Sequence, residues 1–224
     1  MKVNSQSTPL SLNTRRERRS AELRDRMFRA AVQLFARKGF AETTVEDITN
    51  AADVGKGTFF NYFPSKEHIL AAFAKTQVAK VQAAADGART TELPIRIFLH
   101  DLALDAISEP ARNSAVVRAL LQANLSSEPV REMMREIHGK ATGLLAQIIE
   151  VGQERGEIRK ELVAADVAQT LRQSLLGAML IWSLYGDGSL EERIEKVLKI
   201  LWSGLAAPGD LSTPAFLHQE GKSA

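Results

Sequence analysis

The chain has 224 residues, of which 45% are hydrophobic and 25% are charged, and it contains no cysteine. This composition excludes a disordered chain, a disulfide-rich scaffold and any site that needs a thiolate. The 29 Lys and Arg against 27 Asp and Glu give a net charge of +2, which excludes a uniformly basic protein. The charge is unevenly spread, because residues 1–80 hold 14 basic and 8 acidic side chains while the remainder is net acidic. A basic end of this kind is typical of nucleic-acid contact.

The sequence carries no feature that predicts export or membrane insertion. The N-terminal residues lack the apolar core of a signal peptide, and no apolar run reaches the roughly 18 residues of a membrane span. We therefore expect a soluble, cytoplasmic protein with no membrane partner.

The first 19 residues are polar and contain the cluster Arg15, Arg16, Arg18 and Arg19. We expect residues 1–19 to form a mobile basic arm. Such an arm is either a solvated tail or a segment that reaches phosphates or a minor groove, and the sequence leaves both interpretations open.

The next segment predicts three short helices. An apolar face from Leu23 to Phe35 ends at Gly39, and Thr43 with Glu46 matches a capping box that starts a second helix. A third helix begins at Lys56 and is stopped by Pro64. Two short helices joined by a turn of about four residues have helix-turn-helix geometry.

Every later segment also has a helical pattern, over about 66–85, 92–107, 111–124, 128–154, 164–185 and 189–205. The predicted fold class is therefore all-α, with about nine helices arranged as an N-terminal three-helix helix-turn-helix head and a larger C-terminal helical bundle. We assign residues 20–65 to the head, 66–206 to the bundle and 207–224 to a flexible tail.

The last two helices carry apolar residues on two sides, so both sides must be covered. One possibility is a central helix buried within its own subunit. The other, which we favour, is a four-helix interface with a second copy of the chain. The predicted interface residues are Leu171, Leu175, Ala178, Trp182, Ile194, Val197 and Leu201.

Catalytic motifs are absent from the sequence. No pair of histidines has metal-ligand spacing, no Gly-x-Ser-x-Gly occurs, and Gly55-Lys56-Gly57-Thr58 lacks the spacing of a phosphate loop. We expect no catalytic residue, no metal site and no cofactor, although an all-helical enzyme stays as a distant alternative.

The helix that starts at Lys56 has a composition suited to a DNA major groove. Lys56 supplies a charged donor, Gly57 permits close approach, and Asn61 can pair with adenine. The hydroxyls of Thr58 and Tyr62 can reach phosphates, and the helix starts near Thr44 and Lys66 favour phosphate as well. The predicted DNA-binding residues are Thr44, Lys56, Gly57, Thr58, Phe60, Asn61, Tyr62 and Lys66, with Phe59 and Phe63 packed inward.

Residues 43–70, TTVEDITNAADVGKGTFFNYFPSKEHIL, resemble the DNA-binding signature of the TetR family of bacterial transcriptional regulators. The resemblance covers about residues 20–70. Asp53 and Gly55 stand where the family usually has Gly and Ser, and Phe60 replaces the common tyrosine, so one phosphate-contacting hydroxyl is missing.

The resemblance implies a homodimeric repressor that a small-molecule ligand releases from a palindromic operator in double-stranded DNA. A dimeric regulator that has no ligand, or that answers to a protein partner, is the alternative. The effector is unknown. Polar residues on otherwise apolar helices are candidates for its pocket, namely Arg118, Gln122, His138 and Arg172.

Overall fold

A computed structural model of the chain describes residues 10–108 and 114–208, which form nine α-helices. The helices are α1 Leu10–Lys38, α2 Val45–Ala51, α3 Lys56–Tyr62, α4 Lys66–Ala88, α5 Ile95–Ile107, α6 Ser114–Ser126, α7 Glu128–Glu154, α8 Ala164–Tyr185 and α9 Leu190–Leu205. The only β pairing in these residues is one isolated bridge between Ile158 and Ala206. The all-α prediction is confirmed, and most of the expected tail, residues 209–224, lies outside the described residues.

Helix α1 begins about ten residues earlier than the pattern predicts. Residues 10–19, expected as part of a mobile arm, are helical, so that expectation is wrong for them; residues 1–9 lie outside the described residues. Arginine and glutamate are good helix formers, and Arg18 forms an i,i+4 ion pair with Glu22 at 3.6 Å. The apolar periodicity of the sequence therefore predicted this helix only from residue 20 onward.

The described chain divides into two compact units that are not consecutive in sequence. The first unit contains residues 10–75 and 114–135, and the second contains residues 76–108 and 136–208. Helix α6 belongs to the first unit because it packs against α1. The expected linear boundary at residue 65 reflects where the motif ends, whereas packing joins the head to a helix much later in the chain.

Aromatic side chains fill much of the core of the first unit. Phe35, Phe59 and Phe63 are at most 2% exposed, and Phe28 stacks on Phe73 with ring centroids 5.5 Å apart. Phe35 meets Phe40 edge-on at 5.0 Å. Dense aromatics give this small unit a buried volume that small aliphatic residues would not supply.

The cap of α2 lies one residue later than predicted. Thr44 is the N-cap and Asp47 completes the capping box, so the predicted pair of Thr43 and Glu46 is wrong. Thr43 is fully buried, and its hydroxyl donates to the carbonyl of Gly39 at 2.7 Å. Both pairs fit the capping-box pattern, and Thr43 is already engaged in the α1–α2 turn.

The second unit has an aliphatic core contributed by several helices. Ile95, Ile148, Ile149, Ile158 and Leu190 are all fully buried. The backbone N–H of Ile95 donates to a carboxylate oxygen of Glu157 at 2.6 Å, which satisfies a donor at the start of α5. This core joins residues of α5, α7 and α9 in the second unit.

The predicted interface stripe on α8 and α9 is partly wrong. Leu171, Trp182 and Ile194 are at most 8% exposed within the chain itself, so they cannot meet a second copy. Leu175, Ala178, Val197 and Leu201 are only partly exposed. For these four the interface stays a prediction. The large apolar residues that are most exposed on the two helices are Leu180, Ile181, Leu184 and Tyr185 on α8 and Ile200 on α9.

Candidate functional site

The turn before α3 is built for a sharp change in direction. Asp53 has a positive φ of 50°, a conformation that Asp tolerates better than most residues. The backbone N–H of Val54 donates to the carbonyl of Thr49 at 3.0 Å, which ties the turn to α2. Gly55 then caps α3 without a side-chain hydrogen bond. Its substitution for the usual serine therefore removes one cap bond and leaves the helix start in place.

Helix α3 has one face in the core and one in solvent. Phe59 and Phe63 are at most 1% exposed, which confirms the prediction that they pack inward. The solvent face consists of exposed Lys56, Gly57, Phe60 and Asn61, with Thr58 and Tyr62 at its partly exposed edges. Six of the eight residues predicted to bind DNA therefore form one continuous surface on a single seven-residue helix.

Lys56 already has a partner in the free protein. Its ammonium donates to a carboxylate oxygen of Glu46 on α2 at 3.0 Å, and both side chains are more than half exposed. A surface ion pair of this kind contributes about 0–1 kcal/mol, so a phosphate or a guanine edge can compete for the lysine. The pair holds the charge at the exposed start of α3.

The other two predicted DNA contacts have structural roles. Lys66 donates to the carbonyls of Phe40, Ala41 and Thr43 at 2.8–3.0 Å, and it lies 4.7 Å from the centre of the Phe40 ring. All three donors of its ammonium are used within the chain, so the side chain braces the α1–α2 turn. The predicted phosphate contact at the start of α4 concerns the backbone N–H groups there and stays a prediction.

Thr44 is exposed, but its hydroxyl and its backbone N–H both bond to Asp47. The hydrogen bond from Lys38 is the main cause of the strongly lowered pKa of the Asp47 carboxyl, and bonds from Thr44 add to it. Asp47 is therefore ionised at neutral pH and keeps Thr44 in the capping box. A phosphate at this helix start would have to be bound by the remaining backbone N–H groups.

Two arginines of α1 brace the helix-turn-helix and were missed in the sequence. Arg26 donates to the carbonyl of Asp53 at 3.1 Å, and the Arg24 guanidinium lies 5.7 Å from the centre of the Phe63 ring. The partners are 27 and 39 positions away, so no local spacing could have indicated the contacts. The braces fix both ends of α3 against α1.

Two family models match this chain. The model described as bacterial regulatory proteins, tetR family, matches residues 28–73, and the model described as tetracyclin repressor-like, C-terminal domain, matches residues 115–198. The chain belongs to the TetR family of transcriptional regulators. The family assignment made from the α2–α3 signature is thereby confirmed, and the second model extends it to the helical body.

Curated relatives of this TetR-family chain are transcriptional regulators. The repressor DhaR of Mycobacterium sp. (strain GP1) is 29% identical over 189 residues, which cover 82% of this chain and 92% of DhaR. The regulator EthR of Mycolicibacterium smegmatis is 27% identical over 184 residues, covering 77% and 80% of the two chains. These alignments extend well beyond the helix-turn-helix.

Solved structures share the fold. Thermus thermophilus FadR, a TetR-family repressor solved in complex with lauroyl-CoA, aligns with a TM-score of 0.60 and 27% identity over 90% of this chain and 98% of FadR. FadR of Bacillus halodurans aligns with a TM-score of 0.71 over 83% and 97% of the two chains, at 22% identity. The chain is thus a TetR-family regulator in both sequence and fold.

The four predicted pocket residues are divided between the two units. Arg118 and Gln122 are exposed on α6 in the first unit, and their assignment to a pocket stays a prediction. His138 and Arg172 are partly buried in the second unit and are linked through Thr142. Helical periodicity could not separate the two pairs, because each stands on a helix with an apolar face.

The described residues are 10–108 and 114–208. No group of three or more His, Asp or Glu side chains in these ranges could hold a metal ion. No helix there has both the length and the apolar composition needed to cross a membrane.

Proposed function

We propose that this chain is a homodimeric repressor that a small-molecule ligand releases from a palindromic operator. The observation that carries the proposal is the exposed face of α3, where Lys56, Thr58, Asn61 and Tyr62 stand outside a core anchored by Phe59. A short helix whose hydrogen-bond donors face solvent can enter a major groove while its aromatic residue stays packed in the protein core.

The outward stripe of α8 supports the homodimer. Leu180, Ile181, Leu184 and Tyr185 are 38–73% exposed and follow one another at helical spacing, and Ile200 on α9 is 71% exposed. Clustered apolar side chains exposed on α8 are costly in water unless a partner covers them. A second copy with the same patch gives the self-complementary contact that two-fold symmetry requires.

Two observations support a small-molecule ligand. Thermus thermophilus FadR, a relative in fold at 27% identity, was solved with lauroyl-CoA bound. In this chain the second unit holds a partly buried polar cluster of His138, Thr142 and Arg172, which is unusual within an apolar bundle. Release requires only that the ligand prefer the non-binding arrangement of the dimer, and a coupling of about 1–3 kcal/mol changes affinity 5–150-fold.

The test is the salt dependence of binding to a labelled duplex enriched from a random library. If each α3 region neutralises about four phosphates, the dimer releases counterions from about eight, and log K should fall against log salt with a slope near −7. Lys56→Ala should make the slope shallower by roughly two, one for each chain. Lys160→Ala removes an equally exposed charge from the second unit and should leave the slope unchanged. A slope near zero for the wild-type chain contradicts the proposal.

A further inference from the structure

Arg172 is a partly buried charge without an anionic partner. Its Nε donates to the hydroxyl of Thr142 at 2.9 Å, and that hydroxyl donates to the carbonyl of His138, also at 2.9 Å. Within the described chain, no carboxylate forms an ion pair with the guanidinium. Four of its five N–H donors are therefore available to another group. A partly buried guanidinium with unused donors and no carboxylate beside it is suited to bind an anion.

The imidazole of His138 supplies a second donor beside this charge. Burial lowers the pKa of His138 from its ordinary value of 6.5, and the positive charge of Arg172 lowers it further. The ring is therefore neutral at pH 7, and it can donate one N–H without adding a second uncompensated charge.

Two apolar residues of α8 that follow Arg172 are incompletely covered. Ala168, Leu171 and Trp182 lie on the core-facing side of α8 and are at most 8% exposed. Leu175 and Met179 lie on the same side between them, yet both are partly exposed. A core-facing side chain that is accessible between buried neighbours borders an opening, because a packed interior leaves no room for a water-sized probe.

Helix α7 has a similar incompletely covered residue. Ile137, Leu145 and Ile148 follow one core-facing stripe and are buried, whereas Ala141, between Ile137 and Leu145 on that stripe, is partly exposed. Thr142, the partner of Arg172, is the next residue. The partly exposed apolar residues of the two helices therefore lie near one hydrogen bond, with Ala141 beside Thr142 and with Leu175 and Met179 about one and two helical turns from Arg172.

We infer that the effector is an amphipathic carboxylate whose anionic group is bound by Arg172, with His138 beside it, and whose apolar part contacts Leu175 and Met179. This inference rests on the proposed function, because it gives the chemical class of the same ligand. A carboxylate accepts two parallel N–H bonds from a guanidinium and supplies the charge that the free protein lacks.

The test compares decanoate with 1-decanol, which share the chain and differ in charge, by calorimetric titration of the full-length protein. Decanoate should bind at least tenfold more tightly than decanol. Arg172→Gln should weaken decanoate at least tenfold and leave decanol unchanged, while Arg172→Lys should retain part of the preference. The control Lys160→Gln, which removes an exposed charge of the same unit, should bind both probes like the wild type. Equal affinities for the two probes, or no decanoate binding at millimolar concentration, would overturn the inference.

A second readout does not depend on affinity. By NMR, the pKa of His138 should rise toward 6.5 in Arg172→Gln and also in the wild type saturated with decanoate, because each change removes or offsets the Arg172 charge. An unchanged His138 pKa in both cases contradicts the arrangement of the cluster.

The outcomes also separate this inference from the proposed function. If decanoate fails while the chain still binds an inverted repeat in DNA, the carboxylate effector is wrong and the repressor proposal stands. If decanoate binds as described and the chain has no affinity for DNA, the repressor proposal is wrong and the anion site stands.

Discussion

At the scale of single residues, a glycine on the exposed face of α3 matters as much as the polar side chains around it. Gly57 is exposed in the first turn of the helix, and a Cβ added there would meet nothing within 4 Å. The fold therefore does not require glycine at this position. We expect that glycine is needed there because DNA approaches the helix closely.

Gly57→Ala separates the two explanations. Because alanine is the better helix former, we expect the free energy of unfolding to rise by about 0.5–1 kcal/mol, measured by urea denaturation. The added methyl group should nevertheless weaken binding to the selected duplex at least tenfold, measured by fluorescence anisotropy. If the variant is more stable and binds DNA like the wild type, close approach at Gly57 is not part of recognition.

Lys66 gives the opposite expectation. Lys66→Met keeps the length of the side chain and removes its three hydrogen bonds to the α1–α2 turn. Since partly buried carbonyls lose a charged donor, the variant should unfold about 1–3 kcal/mol more easily. At temperatures where both proteins are folded, the slope of log K for DNA binding against log salt should match that of the wild type. A shallower slope would show that the Lys66 side chain contacts phosphate.

The Asp47 carboxyl provides a pH test of the α2 cap. Its pKa is held well below the ordinary value of 3.8 by Lys38 and Thr44, so the folded state binds fewer protons than the unfolded state. The resulting stabilisation is complete above pH 3.8 and is lost as the pH falls below that value. In urea titrations, the difference in stability between wild type and Asp47→Asn should be constant from pH 7 to 5 and should shrink toward pH 3. A difference that does not vary with pH would mean that Asp47 is not held ionised by this cap.

At the scale of elements, helix bounds could be predicted from sequence wherever one face is buried. The start of α8 at Ala164 and the start of α9 at Leu190 lie within one residue of the predicted ranges. The start of α1 could not be predicted in this way, because residues 15–19 are all charged and exposed and so show no apolar periodicity. Which of two apolar stripes on α8 faces outward also could not be predicted, since each has the same spacing and only tertiary packing distinguishes them.

The same limit applies to the candidate sites. The α3 surface follows from a local motif, and local sequence predicts it well. The contacts of Lys66 and Arg26 span more than twenty positions, and the Arg172–Thr142 bond joins two helices thirty positions apart. Such contacts depend on how helices pack, so they had to be read from the structure.

The end of α7 offers a test of close packing in the second unit. A Cβ added at Gly152 would lie 2.7 Å from Ile158 Cδ1 and 3.1 Å from Ile95 Cγ2. Both isoleucines are fully buried, so there is no open space into which they can move. Gly152→Ala should therefore destabilise the chain by about 1–3 kcal/mol in urea denaturation, despite the better helix propensity of alanine. Gly143→Ala, where nothing lies within 4 Å, is the control and should be neutral or stabilising.

At the scale of the whole molecule, the account requires two copies of the chain. Ile181→Glu places a charge in the middle of the outward α8 stripe, where the side chain is 44% exposed in the single chain. If the stripe is the dimer interface, sedimentation velocity should show a monomer at micromolar concentration, because an unpaired charge cannot be buried cheaply.

Leu125→Glu makes the equivalent change at a residue of α6 that is 78% exposed, and this variant should stay dimeric. A wild-type chain that sediments as a monomer, or an Ile181→Glu variant that stays dimeric, would remove α8 from the interface. Operator binding by the monomeric variant should also be weaker, since it loses the simultaneous engagement of two α3 helices.

The most direct test of the central claim is selection of duplexes from a random library by the full-length protein, followed by sequencing and by light scattering of the complex. The account predicts an inverted repeat whose half-site centres lie a whole number of helical turns, about 10 base pairs each, apart, bound by an even number of chains. Recovery of no common sequence, or of a single half-site bound by one chain, would contradict it.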